Sequence, residues 1–301
     1  MYKLDNVRIN RYNDAYYIVY NHEGYCFNSK SKFIEQSNDW AYLINGQVHP
    51  PELSPNYITI KENVVPVISS FHTGVHAYAG ILSILLNYFR NKDLLKGKKL
   101  LLYGDLQKGI LQIIDYLVET NQLEKSDIIY LNPNTLYKFD SITLIPNSLH
   151  SYFEDIKIRD DIANFVSDKL IKKPPKTFNN ISILKHHNSG VTSTMGSIDY
   201  ALAKLLSKRN GYELIEPSEV GEIEVINYLN NAQKVLFSWG TTFMKNYIYI
   251  SNKCKKIDVL ITGHPFKLEF NIATNRDILP LKFKKARIQY HLEPDFTNLY
   301  F

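Results

Sequence analysis

Cysteine is nearly missing from this chain. Its 301 residues hold only Cys26 and Cys254, far apart and in neither a C-x-x-C nor a zinc-ligand spacing. That argues against a disulfide scaffold or a zinc module and fits a reducing compartment. Long apolar runs are missing too: none approaches the ~20 residues that span a bilayer, and the opening MYKLDNVRINRYND has no apolar signal core. A soluble, cytoplasmic protein without a transmembrane segment is expected. Gly104 to Gly109 imitates a phosphate loop, but Ile110 stands where that loop needs its lysine, which excludes a Walker site. There is no D-x-D. The nearest substitute, Glu222 and Glu224, sits two residues apart on a predicted helix and so aims at two faces, and no bound divalent metal is expected. Neither a nucleophile elbow nor a serine-histidine-aspartate spacing is present.

Charge of one sign is not strongly in excess either. Lys and Arg number 35 against 30 acidic residues, a formal net charge of +5, and the basic residues are scattered. A nucleic-acid groove shows a dense basic stripe, so no nucleic-acid partner is expected. The mild surplus suits an anionic small molecule or an acidic glycan.

What is present is a globular composition, 45% hydrophobic and 22% charged, long enough for two domains. Over residues 1–60, VRINRY, AYYIVYN, YCFN, WAYLING and YITI alternate apolar and polar positions between turns. They predict a β-rich N-terminal element appended to the main body. From Val64 the pattern changes to alternating strands and helices: VVPVIS, a helix over Val75 to Arg90, KKLLLYGD, LQKGILQIIDYLVET, SDIIYL and a strand pair in KFDSITLIPN. Lys172-Lys173-Pro174-Pro175-Lys176 can continue neither helix nor central strand, which puts the domain boundary there, between 61–173 and 174–301. The second half repeats the pattern with ISILK, SIDYALAKLLSKRN capped at Gly211, YELIEP, Glu219 to Asn231, KVLFSW and KIDVLITG. The tail from Leu281 is expected to return to the first domain. The fold class is therefore α/β, with two Rossmann-like parallel sheets facing a cleft. This is the layout of a GT-B enzyme.

The segment that draws most attention is Gln233 to Ser251. An apolar strand runs into Ser238-Trp239-Gly240-Thr241-Thr242 and then into an aromatic-rich helix. Free N–H groups at such a junction suit a diphosphate, although strand, glycine and helix is also how any α/β protein links its elements. His72 and His76 sit at a strand-to-helix junction in SFHTGVHAYAGIL. A histidine titrates near neutral pH and can act as general base on a sugar hydroxyl; capping or packing the helix is the other role either one could fill. Lys185 ends the strand ISILK, where a cation can meet a phosphate or simply be solvated. The adjacent His186 and His187 would point to opposite faces of an extended chain and cannot easily share a metal.

With these segments in view, the chain resembles the family-61 (DUF563) glycosyltransferases. His76-Ala77-Tyr78-Ala79-Gly80-Ile81-Leu82 is similar to the family's histidine that opens an apolar helix. ISILKHHNSG, SIDYALAKLL and YELIEPSEV are similar to its basic strand end, helix and following strand, and NAQKVLFSWGTTFMKN to its glycine loop. The resemblance covers roughly Phe71 to Pro265. It implies an inverting, metal-independent transfer from a nucleotide-sugar, a UDP-sugar being favoured, to a glycan or sugar acceptor. On that pattern His76 or His72 is the base, and Lys185, Trp239, Gly240, Thr241 and Thr242 hold the donor. The chain departs from the pattern at Gly80, where many members have an acid. It departs again at Lys185 for arginine, at Trp239 for histidine and at Lys245 for an asparagine that Asn246 follows. Those departures suit the alternative of an inactive glycan-binding relative, and a polysaccharide pyruvyl transferase on the same architecture is a further alternative. The 22 tyrosines leave room for an aromatic homodimer interface.

Overall fold

The computed structural model describes residues 9–21, 23–35, 49–68, 74–145, 156–171, 177–186, 197–238, 241–251, 253–261 and 287–292. By internal contacts the chain divides into two units, Met1–Ile158 and Arg159–Phe301. Both are α/β, each with its own sheet. The expected proline boundary at 172–176 lies outside the described residues, and the contact division falls before it.

The first unit contains β1 (Asn10–Tyr20), β2 (Glu23–Phe27), β3 (Ile58–Pro66), α1 (Gly74–Arg90), β4 (Lys99–Tyr103), α2 (Lys108–Glu119), β5 (Ile128–Leu131) and β6 (Leu136–Leu144). Its six-stranded sheet has the order β2-β1-β6-β3-β4-β5. The pairings of β3 with β4, of β4 with β5 and of β3 with β6 are parallel; β1 joins β2 and β6 antiparallel. The N-terminal strands are thus the antiparallel edge of the main sheet and do not form a sheet of their own. From Asn10 the expected strands VRINRY and AYYIVYN form one strand, with Asp14 taking a left-handed conformation (φ 50°) between them. The cause is burial: Ala15, Tyr17, Ile18 and Val19 are all buried and need the sheet's core beneath them. WAYLING falls outside the described residues.

Two other expected strands fuse. YITI and VVPVIS are the two ends of β3, whose register against β6 shifts between Ile60 and Asn63. The Asn63 side chain fills that irregularity, its Oδ1 accepting from Ser141 Oγ at 2.5 Å and from Arg11 Nη2 at 3.3 Å. KFDSITLIPN gives one strand, β6, and not a pair. Helix α1 was expected to show an apolar stripe through Leu82, Leu85, Leu86 and Phe89. Those leucines are buried, but so is every residue from Gly80 to Tyr88, including Ser83 and Asn87. It is a core helix, enclosed all round.

The second unit takes most of α3 (Ile156–Lys169) and then β7 (Asn180–Ile183), β8 (Lys185–His186), β9 (Ser197–Ile198), α4 (Tyr200–Arg209), β10 (Glu213–Leu214), α5 (Pro217–Val220), α6 (Glu222–Asn231), β11 (Lys234–Ser238), α7 (Thr241–Asn246), β12 (Lys256–Ile261) and β13 (Arg287–Leu292). Five strands form a wholly parallel sheet in the order β10-β7-β11-β12-β13; β8 and β9 pair separately. Numbered along the chain, that order is 2-1-3-4-5, the flavodoxin-like doubly wound arrangement. Of the tail from Leu281, the described part is Arg287–Leu292, which as β13 extends the second sheet beside β12. YELIEP shrinks to the two residues of β10: its own last residue, Pro217, starts a helical turn three residues past Leu214.

Local signals account for the helices. Asp199 caps α4, its Oδ1 accepting from the N–H groups of Ala201 (2.8 Å) and Leu202 (3.2 Å). Gly211, left-handed at φ 67°, ends it, and Tyr212 N–H bonds back to Ser207 O at 2.8 Å. The centre of the sheet is β11, whose Val235, Leu236 and Phe237 have no exposed surface. Burying each is worth about 1.5–3 kcal/mol.

One close approach in the first unit is a direct test of this packing. Gly24 of β2 lies under the ring of buried Tyr17, and a Cβ built there would stand 2.0 Å from the phenol oxygen and 2.9 Å from Cζ. Its φ is outside the left-handed region, so only the contact opposes a larger residue. Gly24→Ala should cost about 1–3 kcal/mol by urea denaturation. The cost should be smaller in a Tyr17→Phe background, which removes the nearest atom. An equal cost in both backgrounds would refute the contact.

Candidate functional site

In a doubly wound parallel sheet the chain reverses direction of travel at one place, and a crevice opens there at the carboxyl ends of the strands. In the second unit that place lies between β7 and β11. From β7 the chain winds outward to β10, then crosses back to start β11 on the other side. Register pairs Ile183 with Phe237, so the two strands end side by side, about 5 Å apart.

Two of the sequence-predicted segments leave there. Lys185 is the first residue of β8, two positions beyond Ile183, paired with Ser197. Thr241 and Thr242 open α7, three and four positions beyond Ser238. Trp239, Gly240 and His187 lie outside the described residues, as do the side chains of Lys185, His186 and Thr241. Thr242 is half-buried, and its carbonyl accepts from Asn246 Nδ2 at 2.8 Å.

Helix α7 is anchored from below and from the side. Phe243 packs edge-on against Phe237 of β11, with ring centroids 5.5 Å apart, and continues into Tyr247 at 5.8 Å. Lys245 Nζ lies 2.5 Å from Glu222 Oε2, a carboxylate only 4% exposed, and Tyr249 donates to Glu222 Oε1 at 3.2 Å. Glu222 therefore ties the start of α6 to the helix after the glycine loop, while Glu224 is half-buried. Lys245, where the resemblance leads one to look for an asparagine, is the cation of this pair. The next residue, Asn246, is buried, and its Oδ1 has no hydrogen-bond partner among the described residues.

In the first unit His76 is the third residue of α1, in its first turn, at the end of the sheet toward which β3 runs. Its side chain and all of His72 lie outside the described residues. The two thiols have no nucleophilic character. Burial pushes Cys254 up to about 11 and Cys26 further, and Cys254 Sγ points to the carbonyls of Lys256 (3.3 Å) and Gln233 (3.5 Å). Among the described residues no group of three or more His, Cys, Asp or Glu is placed to hold a metal ion, and no helix is long and apolar enough to cross a membrane.

Sequence reading missed a buried ionic cluster. Asp258, in the middle of β12, has no exposed surface. Tyr212 OH donates to its Oδ2 at 2.8 Å, Lys256 Nζ lies 3.1 Å from the same oxygen, and His291 Nε2 lies 2.9 Å from Oδ1. Desolvation alone would raise its pKa. The hydrogen bonds from His291 and Tyr212 and the charge of Lys256 outweigh that and hold the carboxyl below its ordinary value. Register places Asp258 beside Leu236, two residues short of the carboxyl end of β11, so it braces the sheet just below that strand's end. The signal was legible: a carboxylate in the apolar strand KIDVLI has to find donors.

No protein-family model matches the chain, and no curated protein matches it.

Two outcomes follow from the buried carboxylates. The depressed carboxyl of Asp258 contributes stability at neutral pH that is lost as pH falls through and below the ordinary carboxylate range, so Asp258→Asn should flatten the acid limb of a stability-against-pH curve. At pH 7 it should also lose about 3 kcal/mol or more, since Lys256 keeps its charge without a counter-ion. Glu222→Ala strands Lys245 in the same way; its cost should shrink when combined with Lys245→Met, measured as a double-mutant cycle.

Proposed function

We propose that the chain is an inverting glycosyltransferase of GT-B-like architecture that moves a sugar from a nucleotide-sugar, a UDP-sugar by preference, to a glycan or sugar acceptor. One observation carries this reading: at the reversal point of the second sheet, between β7 and β11, β7 ends two residues before Lys185 and β11 ends three residues before Thr241, which opens α7. The same two segments are those that the sequence resemblance implies hold the donor. Ligands of open parallel sheets bind at such points.

The chemistry asked of these residues is modest. The acceptor hydroxyl oxygen attacks the anomeric carbon and passes its proton to His76 or His72. The bond from that carbon to the phosphate oxygen breaks, its electron pair leaves on the nucleoside diphosphate, and one displacement inverts the centre. Lys185, with the N–H and hydroxyl groups of Gly240, Thr241 and Thr242, offsets the charge growing on the diphosphate. Trp239 stacks on the base or the sugar. Transfer without metal follows from the resemblance and leaves this cationic role to Lys185. The pairing of Glu222 with Lys245 supports the division of labour, because it assigns the other nearby lysine to holding α7.

The test is nucleotide release from a panel of UDP-, GDP- and CMP-sugars. One donor should be turned over, and at a hundred times its Kd it should stabilise the fold by about 2.7 kcal/mol. Either His76→Ala or His72→Ala should then lower kcat by roughly 10²–10⁴-fold, and Thr242→Val should raise the donor KM. Unchanged transfer in both histidine variants would remove the base assignment, and no release from any donor would remove the activity.

A further inference from the structure

Three strand ends of the first unit meet at the end of its sheet remote from α1. The last residues of β1 pair with the first of β6, Ile18 opposite Leu136, and β3 begins alongside, Ile58 opposite Tyr137. Between them, roofed by the segment that leads into β3, is an open groove of about 440 Å³. That volume falls in the range of small-molecule sites. Its floor is the apolar cluster of Ile18 and Leu136.

The lining has a distinct chemistry. Tyr20, Tyr57 and Ile58 are 37%, 46% and 50% exposed, an unusual amount of apolar surface in one place. Tyr57 is held in position: its ring stands edge-on to Tyr16 at 5.4 Å, and Lys138 Nζ lies over the Tyr16 ring at 5.6 Å. Around the rings stand Glu52, Asn56 and Asn134, whose side chains make no hydrogen bond with other described residues. Asn134 is fixed by a left-handed backbone (φ 58°) and by its N–H donating to Val19 O at 2.7 Å. No Lys, Arg or His is among the described residues that line the groove.

Each ligand class meets this surface differently. A phosphate or other anion would face Glu52 with no cation to receive it. A purely apolar ligand would cover two carboxamides and a carboxylate and give them nothing to bond. A neutral sugar satisfies both sets: its C–H face lies on the electron-rich tyrosine rings, and its hydroxyls, each donor and acceptor, reach the carboxamides and the carboxylate. We infer that this groove is a binding site for a neutral di- or trisaccharide. It stands some 25 Å along β3 from the end that leads to α1. It is therefore separate from the proposed base, and it requires no transfer activity.

The test is saturation-transfer NMR of the full chain with maltose, cellobiose, lactose and mannobiose, and with glucose 6-phosphate as the anionic control, all without nucleotide. At least one neutral disaccharide should bind, and glucose 6-phosphate should bind no better than glucose. Tyr57→Ala should weaken the disaccharide about tenfold or more while Tyr57→Phe, which keeps the ring, stays within about twofold. Asn56→Ala, which disturbs no internal bond, should weaken it severalfold and carries the test if Tyr57→Ala fails to fold. Absence of binding by every neutral disaccharide, tighter binding of the phosphate, or unchanged binding in Asn56→Ala and Tyr57→Ala would overturn the assignment. Because no donor is present, none of these results depends on the glycosyltransferase reading, which fails or stands on nucleotide release.

Discussion

A carboxylate with no exposure, set in the middle of a parallel sheet, has to be surrounded by donors, and the second unit is arranged around the three that surround Asp258. They come from different parts of the chain: Tyr212 from the turn after α4, Lys256 from two residues earlier on β12, and His291 from β13. Apolar packing alone tolerates small slips of one strand along another, whereas a charge out of reach of its partners costs several kcal/mol. The cluster therefore holds β12 to β13 and the turn after α4 to the sheet. Glu222 acts in a similar way one layer up, holding α7 where the chain leaves β11.

The alternation of strands and helices was readable from residue types alone, because strands buried on both faces, such as KVLFS and KLLLY, have to be nearly all apolar. The stop at Gly211 was also a local signal, and α4 ends there, whereas Ser197 and Ile198, expected in that helix, belong to β9. What local signals do not contain is partnership. Nothing in VRINRYNDAYYIVY says that it will lie against β6, a segment more than a hundred residues away, and so the N-terminal strands looked like an appendage. The strand order of the second sheet was equally out of reach, since it depends on which way each crossover turns.

The candidate site divides along the same line. Lys185 and the Gly240 loop were visible because strand-end and helix-start chemistry is local. That the strands before them end side by side comes from the pairing of Ile183 with Phe237, which only the sheet supplies. The roles of Glu222 and Lys245 are non-local in the same sense: 23 residues separate them, and a lysine at a family's asparagine position reads as a mismatch until its partner is seen.

The brevity of β10 has a consequence at the scale of many molecules. An edge strand is a template on which another chain can continue the sheet, and its danger grows with the number of unpaired N–H and C=O groups in a row. Here one rim of the second sheet is two residues long and is ended by Pro217 three residues past Leu214. Among the described strands, the rims of the first sheet, β2 and β5, are five and four residues long, and the other rim of the second, β13, is six. An incoming strand would gain few hydrogen bonds at any of these borders. Copies of this chain that meet there have little reason to fuse into fibrils.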